Sequence, residues 1–277
     1  MDMNILQIFY VKLNRGKHMR KVVTINKKIE FDSELSEVQT SVTRILMNGI
    51  NNDVETKVYP QPDEICGYKV FNIKFYKKYN IVGIVNGSSF ESILREYTIP
   101  VLVSNEKKYV LSYSTFKGII ARAAFKRIRK DTKVKCSPVK IDLVNAYNCI
   151  TQNVNNVTVY SGWFSKLGTQ LQNALLQGNG VDGDADWNKY KRIRGSELKN
   201  IQFKFDDDKY PTGSVVISLS SRGFIFTNSR IEEEDFFEIV EKIVNALDTM
   251  SIIKDADEED EEDVELIVDD QADEEEW

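Results

Sequence analysis

The clearest alternation of apolar and polar positions lies near the end of the chain, at residues 214–247. Val215, Ile217 and Leu219 alternate with smaller or polar residues, a Ser-Arg-Gly turn follows, and a second β-prone run comes next. This pattern predicts a hairpin. An acidic turn at residues 232–235 then precedes apolar residues at helical spacing, which predicts a closing helix. The apolar positions of that helix are Phe236, Phe237, Ile239, Val240, Ile243, Val244 and Leu247.

The first part of the chain predicts a strand followed by a helix. Residues 22–31 alternate as a strand, and Asp32 is a candidate N-cap for the helix after it. The helical face would be formed by Leu35, Val38, Val42, Ile45 and Leu46. Residues 51–67 contain Asn and Pro breakers and predict a loop, with a short strand at 54–59.

Residues 68–97 predict the same order of elements as residues 214–247. Strands are expected at 68–76 and 79–85, joined by a turn at Lys77 and Lys78, and a short helix at 90–97. A hairpin followed by a helix therefore occurs twice, which suggests an internal duplication.

The middle of the chain has a weaker pattern. A hairpin is predicted at residues 99–103 and 108–112, strands at 139–150 and 157–160, and mixed loop and helix at 163–176. A helix at 115–129 would carry one basic face, either solvated or directed at phosphates. That face consists of Lys117, Arg122, Lys126, Arg127, Arg129 and Lys130.

Charge is distributed unevenly. Fifteen of the 43 acidic residues lie between Asp255 and Trp277, where there is no Lys or Arg, so the rest of the chain has 37 basic and 28 acidic side chains. A basic body suits a polyanion partner, and the tail would compete for that surface, recruit a protein, or only solubilise the chain. We expect a flexible basic arm (1–20), two halves (21–138 and 139–250) and a disordered acidic tail (251–277).

No pattern indicates catalysis, a metal site or a cofactor. The three cysteines lack metal-ligand spacing and are expected to be buried thiols, and the single histidine, His18, lies in the predicted arm. Nucleotide-binding and hydrolase motifs are missing, so we expect a binding protein. Asp182, Asp184 and Asp186 alternate but do not complete a calcium loop. With neither a signal peptide nor a long apolar run, the protein is expected to be intracellular, without a membrane partner.

The basic segment 187–194 is a second candidate for nucleic-acid contact. It interleaves Trp187 and Tyr190 with four basic residues. Aromatic rings among cations are typical of surfaces that stack on bases, although an ordinary surface loop has the same composition.

The two predicted hairpins, NIKFYKKYNIVG at 72–83 and SVVISLSSRGFIFTN at 214–228, resemble the repeated hairpin of TATA-box-binding proteins, in the divergent form found in large DNA viruses. The resemblance implies an α+β fold of two related halves, with a curved, saddle-like antiparallel sheet and helices on its convex face. In that family the concave face enters the DNA minor groove. The turns differ here, and Lys74 and Ser218 occupy the places of the family's wedge phenylalanines.

Carried onto this sequence, the resemblance implies a DNA-binding set on the groove face and around the turns. The set is Lys74, Phe75, Lys78, Asn80, Val82, Arg222, Phe224, Ile225 and Thr227. It further implies a transcription initiation factor that binds double-stranded DNA and transcription machinery proteins, located in the nucleus or a viral factory, or packaged in a virion.

Two other functions stay open from the sequence. The acidic tail ends in an aromatic residue, Trp277, an arrangement by which single-stranded DNA-binding proteins recruit partners. An adaptor without a nucleic-acid partner would need only that every basic cluster is solvated.

Overall fold

The computed structural model describes residues 20–115, 118–128 and 132–256. The α-helices in these ranges are α1 (Ile119–Arg127), α2 (Leu143–Asn153), α3 (Ala185–Arg192) and α4 (Glu233–Thr249). The strands are β1 (Lys21–Glu30), β2 (Gln39–Met47), β3 (Ile50–Ile65), β4 (Tyr68–Tyr79), β5 (Gly83–Val85), β6 (Ser88–Phe90), β7 (Ile93–Val103), β8 (Tyr109–Ser114), β9 (Lys135–Ile141), β10 (Val157–Ser165), β11 (Asn173–Gln177), β12 (Glu197–Asp206), β13 (Ser214–Ser220), β14 (Phe224–Thr227) and β15 (Ile253–Asp255).

One large sheet organises the described chain. Its strand order is β11-β10-β12-β13-β14-β1-β8-β7-β4-β3-β2, and each of these neighbours is antiparallel. The central strand β1 pairs with β14 on one side and β8 on the other. The edge of β1 that pairs with β14 continues along the strand and pairs with β9 from Asn26 onward. The strand β9 in turn pairs with β15. The short strands β5 and β6 form a separate hairpin.

Helices cover both faces of this sheet. Ile73 and Ile99 belong to a core cluster with Ile120 and Ala124 of α1, whereas Val70, three residues from Ile73 on β4, belongs to the other cluster. That second cluster includes the buried residues of α2 and α4. Because successive strand residues point to opposite faces, the two clusters lie on opposite sides. The α+β class with antiparallel pairing is confirmed, but the expected placement of all helices on one convex face is not.

The closing unit of the chain was predicted correctly. The predicted hairpin is formed by β13 and β14, with Leu219 opposite Ile225. All seven apolar positions predicted for the closing helix are buried in α4. Its first turn carries three acidic residues, which stabilise the positive end of the helix dipole.

The predicted helix after Asp32 is wrong. Residues 39–47 form β2, which pairs with β3 through a two-residue turn at Asn48 and Gly49, both with positive φ. Asn-Gly between two strands is a strong signal for a tight hairpin, and the β-branched Thr40, Val42 and Thr43 favour the extended chain. The short strand predicted at 54–59 is confirmed as part of β3, but the loop predicted around it is wrong, because β3 continues across both prolines with a register shift after Pro60.

The first hairpin-helix repeat is absent from residues 68–97. Lys77 and Lys78 lie inside β4, which continues to Tyr79 and pairs with β7 along its whole length. The segment predicted to be helical, 90–97, contains the end of β6 and the first part of β7. The pattern of Phe90, Ile93 and Tyr97 was compatible with a helix, but pairing with β4 stabilises the extended form instead.

The middle of the chain is partly as predicted. The hairpin of β7 and β8, the strand at β10 and the helix α1 are confirmed. The strand predicted at 139–150 is wrong after Ile141, because the side chain of Asp142 accepts hydrogen bonds from two backbone amides and caps α2. Of the mixed loop and helix predicted at 163–176, the loop is present at residues 166–172, but the helix is wrong, since β10 and β11 form a strand pair on either side of that loop.

Two predicted segments fall mainly outside the described residues. These are the basic arm, of which only Arg20 is described, and residues 257–277 of the acidic tail. Before that point, Ile253–Asp255 pairs with β9 as β15. The expectation of buried cysteines is wrong for Cys66, which is exposed in the turn between β3 and β4. None of the described helices is long and apolar enough to span a membrane.

Candidate nucleic-acid interface

The strands β10 to β14 have one face covered by α2 and α4 and an opposite face that we call the open face. Cross-strand pairing assigns residues to it, since partners in register share a face. The side chains on the open face include Tyr160, Trp163, Leu175, Gln177, Asn200, Gln202, Lys204, Val216, Ser218, Ser220, Phe224 and Phe226.

Trp163 is the most prominent group on the open face. Its side chain is 51% exposed, and its cross-strand neighbour Leu175 is 64% exposed. On the other side Trp163 pairs with Asn200, which pairs with Ser220. A large ring is thus held on rigid strands with one side open to solvent, and such a ring can stack on a flat partner at little cost in entropy.

Polar side chains surround this ring. The Nε2 of Gln177 donates to the hydroxyl of Tyr160 at 3.1 Å, and the Nε2 of Gln202 donates to the Oγ of Ser218 at 3.2 Å. Ser218 is only 3% exposed, but the amides of Gln177 and Gln202 and the hydroxyl of Tyr160 are at least partly exposed. These groups can both donate and accept, so they can bind base edges or sugar hydroxyls without a fixed charge pattern.

Among the described residues, two cations lie on the open face away from Trp163. The guanidinium of Arg20 lies 4.3 Å from the centre of the Phe226 ring, a cation–π contact. Burial lowers the pKa of Arg20, but a guanidinium stays protonated in proteins. Lys204 is the second cation and forms an ion pair with Asp206 at 2.8 Å. The open face is therefore more aromatic and polar than basic.

The residues singled out by the family resemblance do not form one surface. Lys74 lies on the face of β4 opposite α1, where it pairs with Glu96 at 2.9 Å. Phe75 points the other way and is 1% exposed beneath α1. The strand β4, which carries both residues, is separated from β14 by the strands β7, β8 and β1. At the usual strand spacing this is a distance of roughly 19 Å.

The other members of that set are divided between exposed and buried positions. Lys78 shares the face of Lys74, and Asn80 and Val82 follow β4 in an exposed segment. Arg222 and Phe224 are partly exposed near the β13–β14 turn. The predicted set is thus dispersed along the sheet.

Ile225 and Thr227 were expected to face a groove, and this is wrong. Ile225 is fully buried on the side of α4, and the hydroxyl of Thr227, 1% exposed, donates to the carbonyl of Val216 at 2.7 Å. Alternation explains the error, because a shift of one residue exchanges the two faces of a strand. Phe224 and Phe226 point to the opposite face instead, where Arg122 of α1 lies over the Phe224 ring and Arg20 over the Phe226 ring.

Trp187, the candidate stacking residue of the basic segment, is also misplaced by the sequence prediction. It lies on α3 and is fully buried, with its ring centre 5.0 Å from that of Phe164 and 5.5 Å from that of Tyr147. It therefore cannot stack on a ligand.

The alternating aspartates before α3 have a structural role. The side chain of Asp184 accepts a hydrogen bond from the amide of Asp186 and caps the start of α3. No acidic or cysteine cluster suited to a metal occurs in the described ranges.

The sequence contains a signal for part of the open face that the prediction did not use. Asn200, Gln202 and Lys204 alternate strictly with the buried Ile201, Phe203 and Phe205 along β12. In β10 the alternation is interrupted, because the pairing with β12 shifts register between Val159 and Ser161 and again next to Trp163. Because of these bulges, the sequence pattern of β10 does not indicate that Trp163 is exposed.

Comparison with known proteins adds no assignment. No protein-family model matches the sequence, and no curated protein matches it significantly.

Proposed function

We propose that the protein binds single-stranded nucleic acid, with DNA as the first candidate, across the open face. The observation that carries the proposal is the exposed ring of Trp163, fixed among amide and hydroxyl side chains on strands. Base–aromatic stacking contributes roughly 1–3 kcal/mol per base and depends little on sequence. Tyr160, whose hydroxyl accepts a hydrogen bond from Gln177, offers a further ring on the same face.

A single strand fits this surface better than a duplex. Paired bases are stacked on one another, so a duplex offers no base face to Trp163, whereas an unpaired base can stack directly. The saddle-type function implied by the family resemblance, a transcription factor in the minor groove, needs its two hairpins on one surface. The burial of Ile225 and Thr227 argues against that version.

A protein-binding function is the second candidate. It is favoured by the position of β11 at the edge of the sheet, where the outer side of β11 pairs with no other strand of the described residues. The exposed Leu175 lies on this strand, and the exposed Leu171 lies in the loop before it. An edge strand can accept an added strand from a partner. This candidate corresponds to the adaptor considered from the sequence.

Binding of one labelled oligonucleotide, single-stranded and as a duplex, over a salt series tests the proposal. The single strand should bind at least about tenfold more tightly, which is the scale of one stacked base. Because the open face has few cations, two to four phosphate contacts should give a log–log salt slope of roughly −1.4 to −2.8.

Lys74→Ala is the matched control for this experiment. Lys74 lies on the far half of the sheet and should leave single-strand affinity unchanged, although the saddle hypothesis assigns it to the DNA. Equal or tighter duplex binding, lost in Lys74→Ala, would contradict the proposal and favour the saddle. No binding to either form would leave the protein-binding candidate.

A further inference from the structure

The strand β11 forms one edge of the large sheet, and this edge lacks the usual protection. Its inner side pairs with β10 without a register shift, and its outer side pairs with no other strand of the described residues. Proteins protect such edges with charged side chains, proline or a β-bulge, because exposed backbone donors and acceptors attract further strands. The sequence of β11, NALLQ, contains neither a charge nor a proline.

The absence of charge extends to both sides of β11. Residues 167–181 contain no Asp, Glu, Lys, Arg or His, although charged residues make up 29% of the chain. A charged strand would form no ion pair with this segment and would lose hydration on docking. The edge therefore suits an uncharged strand.

One hydrogen bond shows which residues of β11 direct their backbone outward. The amide of Gly178 donates to the carbonyl of Tyr160 in β10 at 2.8 Å. Because hydrogen-bonded and non-hydrogen-bonded pairs alternate in an antiparallel ladder, the backbone groups of Asn173, Leu175 and Gln177 point away from β10. The side chains of these three residues are exposed on the open face.

This outward row is its own antiparallel complement. With a two-fold axis at Leu175, that residue faces its counterpart in a second copy, and Asn173 faces Gln177. The leucine, 64% exposed in the single chain, would then be buried against an identical side chain. The opposing amides both donate and accept, and Gln177 keeps a second amide hydrogen besides the one directed at Tyr160.

The opposite edge of the sheet, β2, is less suited to adding a strand. Arg44 of β2 forms an ion pair with Asp53 at 3.1 Å, and the amide of Lys133 donates to the side chain of Gln39 at the start of the strand. Pairing of β2 with β11 of another copy would also give an open-ended filament, whereas pairing of β11 with β11 closes after two copies.

We propose that β11 pairs with β11 of a second copy, so that the protein is a symmetric dimer with one continuous sheet. The inference goes beyond the proposed function, because it uses only the edge of the sheet. Trp163 is the cross-strand neighbour of Leu175, so the two Trp163 rings of the dimer lie on the same face, three strand spacings or roughly 14 Å apart.

Leu175→Lys and Leu175→Glu, each in the full chain, test the dimer. Sedimentation velocity of the wild type at about 100 μM should give twice the mass of one chain, since small interfaces have micromolar affinity. Because the axis places residue 175 opposite itself, each variant alone brings like charges together, and its dimer dissociation constant should rise about tenfold or more. An equimolar mixture pairs lysine with glutamate and should restore the dimer.

Ile84→Lys and Ile84→Glu are the matched controls, because Ile84 is an exposed apolar residue of β5, and both should dimerise like the wild type. A monomeric wild type at about 100 μM would overturn the proposal and leave the edge to a strand from another protein. Dimers of both single Leu175 variants, or a mixture that stays monomeric, would also contradict it. None of these outcomes involves an oligonucleotide, so each is independent of the proposed function.

Discussion

Trp187→Ala should lower the free energy of unfolding by about 3–5 kcal/mol, the usual range for removing a large buried aromatic side chain. The ring is fully buried between Phe164 of β10 and Tyr147 of α2, and it lies against Gly162, where even a Cβ would come within 2.2 Å of it. Alanine would leave a cavity where three elements meet. Chemical denaturation followed by circular dichroism measures the loss.

Trp187→Phe is the matched control for the size of this loss. It keeps an aromatic ring and removes the indole N–H, which is buried and has no hydrogen-bond partner in the described part of the chain. The smaller ring should therefore cost clearly less than alanine. A change below about 0.5 kcal/mol in Trp187→Ala, the usual range for surface positions, would show that this residue is exposed.

Trp163→Ala should have the opposite profile, with nearly unchanged stability and lower affinity for a single strand. Because the side chain is half exposed, the free energy of unfolding should stay within about 0.5 kcal/mol. Loss of one stacked base should weaken binding by roughly 5- to 150-fold, which corresponds to 1–3 kcal/mol. Fluorescence anisotropy of a labelled oligonucleotide measures the affinity.

Two variants control for a nonspecific surface effect. Trp163→Phe keeps a ring and should retain much of the affinity, whereas Leu175→Ala removes an exposed neighbour that cannot stack and should have a small effect. If Leu175→Ala and Trp163→Ala weakened binding equally, the patch would act as an apolar contact, as expected for a protein partner.

The two tryptophans show where sequence patterns are informative and where they are not. The closing helix α4 could be predicted residue by residue, because its period, acidic first turn and preceding hairpin are all local signals. Trp187 lies on a helix of eight residues with a single buried side chain, so no periodicity marks it as core. The basic residues around it suggested an exposed segment, but burial is decided by contacts with β10 and α2 that are distant in sequence.

The errors in the first hundred residues have a related cause. Residues 35–46 carry apolar side chains that fit a helical face as well as a strand, and only the Asn48–Gly49 turn and the pairing with β3 decide between them. An alternation that is assigned one residue out of phase also exchanges the two faces of a strand, which is why Ile225 and Thr227 were expected on the face that Phe224 and Phe226 occupy. The antiparallel α+β class survives such errors because it depends on the kind of elements and not on their register.

Trp163 fluorescence during titration with a single-stranded oligonucleotide tests most directly whether a strand lies on the open face. Trp277→Phe removes the tail indole, and the buried Trp187 provides a constant background. Stacking of a base on the exposed ring should quench the emission in parallel with binding, and the duplex form should quench it little. Strand binding without any change in Trp163 emission would contradict the account and place the nucleic acid elsewhere on the protein.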